Sequence, residues 1–172
     1  MEPICTPRLR LIPATAASVR AEIEDRDEFF NLLCAKQAED WPSRDLQAAL
    51  PFFLARLERS PEEVGWLGWY WVLMSEHTLV GSGGFKGPPD SDGTVEIGYE
   101  TRTPHRRRGY ATEAVGALVD WAFLHEDVNR VVAETREDNR TSLRLLRKLG
   151  FKYAGPGSET DRFRLERRRS NR

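Results

Sequence analysis

Residues Val95 to Ala114 read VEIGYETRTPHRRRGYATEA. The segment opens on a two-residue alternation, with Val95, Ile97 and Tyr99 on one face of a strand and Glu96, Gly98 and Glu100 on the other. It ends where a helical spacing begins: Ala111, Ala114, Val115, Leu118, Val119 and Ala122 form one apolar face. Between strand and helix, Arg106, Arg107 and Arg108 run into Gly109. Three adjacent like charges suit a solvated loop or the rim of an anion site, and the position argues for the anion. A helix N-terminus presents unpaired backbone N–H groups and a partial positive charge, which together bind phosphates. Gly109 carries no Cβ to hold a ligand off the backbone. Ala111 keeps the next position small, and Thr112 offers a hydroxyl in the first turn. The amides from Arg107 to Thr112 are therefore expected to cradle a pyrophosphate.

The chain on either side supplies the rest of a sheet. RLRLI (8–12) reads as a first strand with Leu9 and Leu11 on one face. Residues 15–36 carry helical patterning, as two helices broken near Asp25. EDWPS (39–43) interrupts the chain, and residues 43–60 form a further helical region capped by Ser43 and kinked or split at Pro51. WLGWYWVLMS (66–75) and LVGSGGF (79–85) are strand-like and separated by a short turn. GSGGFKG (81–87) fits neither the dinucleotide fingerprint nor the P-loop spacing, and is expected to be a tightly packed or bulged strand. KGPPDSDG (86–93) is a loop by composition. After the arginine-led helix come a strand at NRVVAETR (129–136) and a helix at 138–150, capped by Asp138 or Asn139 and ended by Gly150. Strands at FKYAG (151–155) and DRFRLERR (161–168) follow. Helices, a β-meander, then strand–helix–strand–helix–strand make a mixed α/β (α+β) sheet. It is mostly antiparallel, and the crossover demands a parallel pair.

Composition sets the outer bounds. The 172 residues suit a single domain spanning 1–172, and a net charge of −1 exerts no overall pull toward nucleic acid. From Arg162 to Arg172 six arginines stand against Glu166 alone, which reads as a solvated, frayed basic tail. Cys5 and Cys34 fit free thiols in a reducing compartment. No secretory leader is visible, and the longest apolar run, Trp66 to Met74, is too short for a membrane span, so the reading is cytoplasmic. His77, His105 and His125 suggest no metal cluster, and no metal is expected.

The segment VEIGYETRTPHRRRGYATEA resembles the central motif of the GNAT N-acetyltransferase superfamily: a strand, then [Q/R]-x-x-G-x-[G/A], then a helix. Here the signature is Arg106-Arg107-Arg108-Gly109-Tyr110-Ala111. A second block, NRVVAETREDNRTSLRLLRKLGFKYAG (129–155), resembles the family's following strand, helix and strand, and TPRLRL (6–11) resembles the first strand of the ribosomal-protein N-terminal acetyltransferase branch. The resemblance implies acetyl-coenzyme A as cosubstrate, held where two parallel strands part. Its pyrophosphate would lie on the amides of Arg106 to Thr112, and its pantetheine arm along Tyr99, Glu100 and Thr101, with Asn139 touching that arm. The reaction would be direct acetyl transfer to a primary amine, on a small molecule or a protein N-terminus.

Glu96 is then the first choice of general base, with Glu100 the alternative. The family often places an acid tyrosine seven residues after the asparagine, and that position here is Leu146. Ser142, one helical turn after Asn139, takes its place as candidate acid, with Tyr110 weaker. Early helices and some of Trp41, Trp66, Trp69, Tyr70 and Trp71 would wall the acceptor pocket. The resemblance allows a monomer or homodimer. A nonenzymatic acetyl-coenzyme A-binding protein on the same fold is the alternative reading.

Overall fold

A computed structural model describes residues 1–157 and 160–167. Eight strands join in one sheet in the order β1-β2-β3-β4-β5-β6-β8-β7. The strands are β1 (Ile4–Cys5), β2 (Leu9–Pro13), β3 (Gly68–Leu73), β4 (Thr78–Phe85), β5 (Thr94–Thr101), β6 (Arg130–Thr135), β7 (Lys152–Pro156) and β8 (Asp161–Glu166). Every neighbouring pair is antiparallel except β5 and β6. The mixed sheet expected from the sequence is therefore present, with the short β1 added at its edge.

Alternation along β3 assigns the two faces. Trp69, Trp71 and Leu73 join the core under α4 (Tyr110–Ala122) and α5 (Arg140–Lys148), with Val95, Ile97, Leu118 and Leu146. Tyr70 and Val72 join the opposite core, under α1 (Ala16–Glu24), α2 (Arg26–Leu32) and α3 (Arg44–Arg59). Glycines in β4 make room for the first of these cores. A Cβ on Gly83 would lie 2.6 Å from the ring of Trp71, and the β3–β4 register shifts between Trp71 and Val72. The tight, bulged strand expected at GSGG is thus observed.

The break near Asp25 holds, because Asp25 ends α1 and caps α2 through the Glu28 amide. Ser43 caps α3 as expected. Of the kink or split expected at Pro51, the split is corrected: α3 runs uninterrupted for 16 residues with Pro51 inside it. Leu50 and Leu57, both buried, anchor the helix on either side of the missing N–H, so packing outweighs the lost hydrogen bond. The frayed basic tail is also corrected as far as Arg167. Arg162 pairs with Glu134 at 2.9 Å, and Arg167 donates to the Val128 and Phe123 carbonyls at 2.7 Å each. Residues 168–172 lie outside the described residues. Cys5 and Cys34 are exposed free thiols. No described helix is long and apolar enough to cross a membrane.

Candidate active site

The site begins where β5 and β6 part. Their parallel pairing covers only Thr94–Arg130, Val95–Val131 and Glu96–Val132. Beyond it β5 continues to Thr101 along β4, while β6 follows β8. On β5 the Lys86 amide donates to the Glu96 carbonyl and the Arg102 amide to the Val80 carbonyl, each at 2.9 Å. Antiparallel alternation then turns the backbone of residues 96, 98 and 100 toward β4, and that of Tyr99 and Thr101 toward the opening. The split therefore carries free strand edge, with the Thr101 carbonyl accepting from Arg106 Nε at 3.0 Å.

The arginine loop closes one end of this split. Arg107 and Gly109 both adopt positive φ, 62° and 80°, so the chain curls sharply just before α4. Side chains cap α1, α2, α3 and α5, whereas α4 starts at Gly109 with no side-chain cap. Its first amides are thus left for an anion or water. Glu113 fixes this start from behind. Its carboxylate accepts from Thr6 Oγ1 (2.6 Å), the Arg8 amide (2.8 Å) and Arg8 Nε (2.6 Å). Arg8 also donates to the Arg108 carbonyl at 2.9 Å and lies over the Tyr110 ring. Burial would raise the Glu113 pKa, but these donors outweigh it and hold the carboxyl below its ordinary range.

A polar groove of about 760 Å³ occupies the split. Tyr99, Glu100 and Thr101 line it from β5. Arg106, Arg107 and Gly109 line it from the loop, and Tyr110, Ala111 and Thr112 from the start of α4. Asn139 and Ser142 line it from α5, where Asn139 also caps the helix by accepting from the Ser142 amide at 3.1 Å. Arg108 is the loop residue that does not reach the groove. Sequence reading missed Thr141, Arg144 and Lys148, although their three- and four-residue spacing puts them on one face of α5. Four cations and an uncapped helix start thus surround an opening with one carboxylate, Glu100, at its inner end. His105 lines the groove too; burial, then Arg102 and Arg108, depress its pKa, which keeps the ring neutral.

On the other side of β5 lies an apolar cavity of about 340 Å³ beneath α1 and α3. It meets the groove at Tyr99 and Glu100, which line both. The Tyr99 hydroxyl is 2.8 Å from Ser142 Oγ, and burial pushes the phenol's pKa up, so it stays protonated. Glu100 Oε1 is buried without a hydrogen-bond partner. Glu22, on α1, lines the cavity and accepts from Trp41 Nε1 (2.8 Å) and the Tyr70 hydroxyl. Burial drives its pKa up to about 7; those two donors oppose the rise, and the charge on Glu100 adds to it. Nothing in AEIEDRDE (21–28) distinguishes Glu22 from its acidic neighbours, so only the folded structure reveals it.

Glu96, the first choice of base, lines neither space and is ion-paired with Lys86. Leu146 is fully buried in the core under α5. Among the aromatics, Trp69 and Tyr70 line the cavity, while Trp41 acts through Glu22. Among the described residues, no group of three or more His, Cys, Asp or Glu could hold a metal ion.

The chain is similar to known proteins in sequence and in fold. The chain is 39% identical over 112 residues to the uncharacterized N-acetyltransferase YjdG of Bacillus subtilis, across 65% of this chain and 67% of that protein. It is 35% identical to the uncharacterized N-acetyltransferase p20 of Bacillus licheniformis, across 49% of this chain and 47% of that one. Its fold matches the solved structure of RimL, a ribosomal L7/L12 alpha-N-protein acetyltransferase in complex with coenzyme A. That match has a TM-score of 0.66 and 17% identity, over 96% of this chain and 98% of RimL. The acetyltransferase (GNAT) domain matches residues 18–152, and the chain accordingly belongs to the GNAT acetyltransferase family.

Proposed function

We propose that the chain is an N-acetyltransferase that moves the acetyl group of acetyl-coenzyme A directly to a primary amine, with Glu100 as base and Tyr99 as acid. The observation that carries this reading is the meeting of a cationic groove and an apolar cavity at Tyr99 and Glu100, where β5 and β6 part. The groove suits a long anionic cosubstrate. The uncapped start of α4 and the Cβ-free Gly109 fit a pyrophosphate, with Arg106, Arg107, Arg144 and Lys148 supplying charge. The free edge of Tyr99 and Thr101 fits the amide groups of a pantetheine arm.

An alkylamine or α-amine has a pKa of roughly 8 to 10 and arrives protonated. Glu100, whose Oε1 lacks a partner, takes one proton from the ammonium. The freed lone pair attacks the thioester carbonyl carbon, and backbone N–H on the open edge of β5 is available to the developing oxyanion. As the C–S bond breaks, the Tyr99 hydroxyl protonates the departing thiolate; the nitrogen of the tetrahedral intermediate gives up its second proton as the amide forms, and that proton restores the Tyr99 phenolate through Ser142. The products are the N-acetylamine and coenzyme A, with one proton released from Glu100 to solvent.

The test is thiol release with an amine panel, comparing wild type with Glu100→Gln and Tyr99→Phe. Each variant is expected to lose about 10²- to 10⁴-fold in kcat, the usual worth of a positioned acid or base. Full turnover by Glu100→Gln removes Glu100 as base.

A further inference from the structure

We propose that the acceptor is a compact aryl- or branched-alkyl monoamine, its apolar body held in the cavity beneath α1 and α3 and its ammonium between Glu22 and Glu100. This rests on the acetyltransferase reading and adds the class of acceptor. At about 340 Å³ the cavity sits at the small end of ligand sites, which run from about 300 to 1,000 Å³. Val19, Leu46, Leu50, Phe53, Leu57 and Phe85 give it an apolar wall. Such a wall favours a hydrocarbon body over a hydrated one.

Glu22 and Glu100 are the two carboxylates that line the cavity, and the charge on Glu100 is felt at Glu22. The buried Oε1 of Glu100 lacks any donor, an expensive arrangement until something supplies one. An ammonium brings three N–H donors, enough for Glu100 and for a remaining lone pair on Glu22. Trp41 and Tyr70 hold the Glu22 carboxyl in place before any ligand arrives. Glu22 is thus a specificity residue, on a different element from the base.

The same wall argues against other amines. Among the described residues, the only other charged side chain lining the cavity is Lys86, a cation already paired with Glu96, so the second ammonium of a polyamine would find no free carboxylate there. A protein N-terminus would bring backbone amides into a space where Tyr70 and Ser82 are the chief neutral hydrogen-bonding side chains besides Tyr99 at the mouth. Gly98 also lines the cavity, and a Cβ built there meets nothing within 4 Å, so a larger side chain can enter the space without displacing protein.

The experiment measures kcat/KM by thiol release with 2-phenylethylamine, isoamylamine, spermidine and a tripeptide with a free N-terminus. Acetyl-coenzyme A affinity is measured alongside by calorimetry. Both apolar monoamines should exceed spermidine and the tripeptide by about tenfold or more. Glu22→Gln and Gly98→Leu should each raise KM for 2-phenylethylamine by about tenfold or more while leaving acetyl-coenzyme A affinity unchanged. A preference for spermidine or the tripeptide, or unaltered KM in both variants, overturns the proposal. Failure of wild type to bind acetyl-coenzyme A would remove the acetyltransferase reading and this one with it. Normal binding with another acceptor preference overturns the acceptor class alone.

Discussion

Replacing Glu22 by glutamine should change how stability depends on pH, in a way fixed by the carboxyl's surroundings. Glu22 is drawn from an ordinary pKa of 4.5 up to about 7 by burial, against donors from Tyr70 and Trp41 and with a push from Glu100. Between those two values the folded chain keeps a proton that the unfolded chain has released. Stability therefore falls as pH rises through that window, and levels off above about 7. At about 1.4 kcal/mol per pH unit the whole loss approaches roughly 3 kcal/mol. Glutamine keeps the geometry: its carbonyl accepts from Trp41 Nε1 and its amide donates to the Tyr70 oxygen. The variant should match wild type near pH 4 and exceed it near pH 8 by up to about 3 kcal/mol, or up to about 10 °C in Tm. Urea unfolding of both proteins across that range measures the difference. A stability gap that stays constant with pH would refute the reasoning, because it would mean that Glu22 ionises as freely when folded as when unfolded.

Other substitutions separate roles that look alike in the sequence. Glu96→Gln should leave kcat within about twofold of wild type and stability within about 1 kcal/mol, since its ion pair with Lys86 is partly exposed; a loss of turnover matching that of Glu100→Gln would restore Glu96 as base. Leu146→Ala empties a fully buried position and should cost about 2–5 kcal/mol in chemical denaturation, while leaving the groove residues in place. Destabilisation below about 1 kcal/mol would mean that the core under α5 is looser than its burial implies.

The sheet was legible because its signals are local. Alternation at Val95–Thr101, helical spacing after Gly109, and the caps at Ser43 and Asn139 each need only a few consecutive residues. The groove was legible for the same reason: the strand, arginine loop and helix start that line it are contiguous, and α5 follows by a short crossover. Pro51 misled because a missing N–H is visible in sequence, whereas the packing of Leu50 and Leu57 that overrides it is not. Tyr99 was legible as strand backbone beside the pantetheine arm, but its side-chain partnership with Ser142 bridges 43 positions. Glu22 lies further beyond reach. Its raised pKa comes from burial and the charge on Glu100, against donors from Tyr70 and Trp41, and only tertiary structure brings these surroundings to α1. Glu96 and Glu100 share a strand face, so alternation could not choose between them; Glu96 meets Lys86 whereas Glu100 lines the mouth of the cavity, and that difference is what favours Glu100 as the proposed base.

The arginine loop and the uncapped start of α4 are the proposed seat of acetyl-coenzyme A. Its most direct test is calorimetric titration of wild type and Gly109→Glu with acetyl-coenzyme A, with thermal unfolding run in parallel. Gly109 holds a φ of 80°, so a side chain there carries strain of about 1–2 kcal/mol, and unfolding data confirm that the variant is folded at the titration temperature. Micromolar binding by wild type and none by the folded variant is expected, because the new side chain, its Cβ 3.3 Å from Arg8 Nη2, disturbs the start of α4 and adds negative charge beside the proposed anion seat. Equal affinity in the two folded proteins would contradict it.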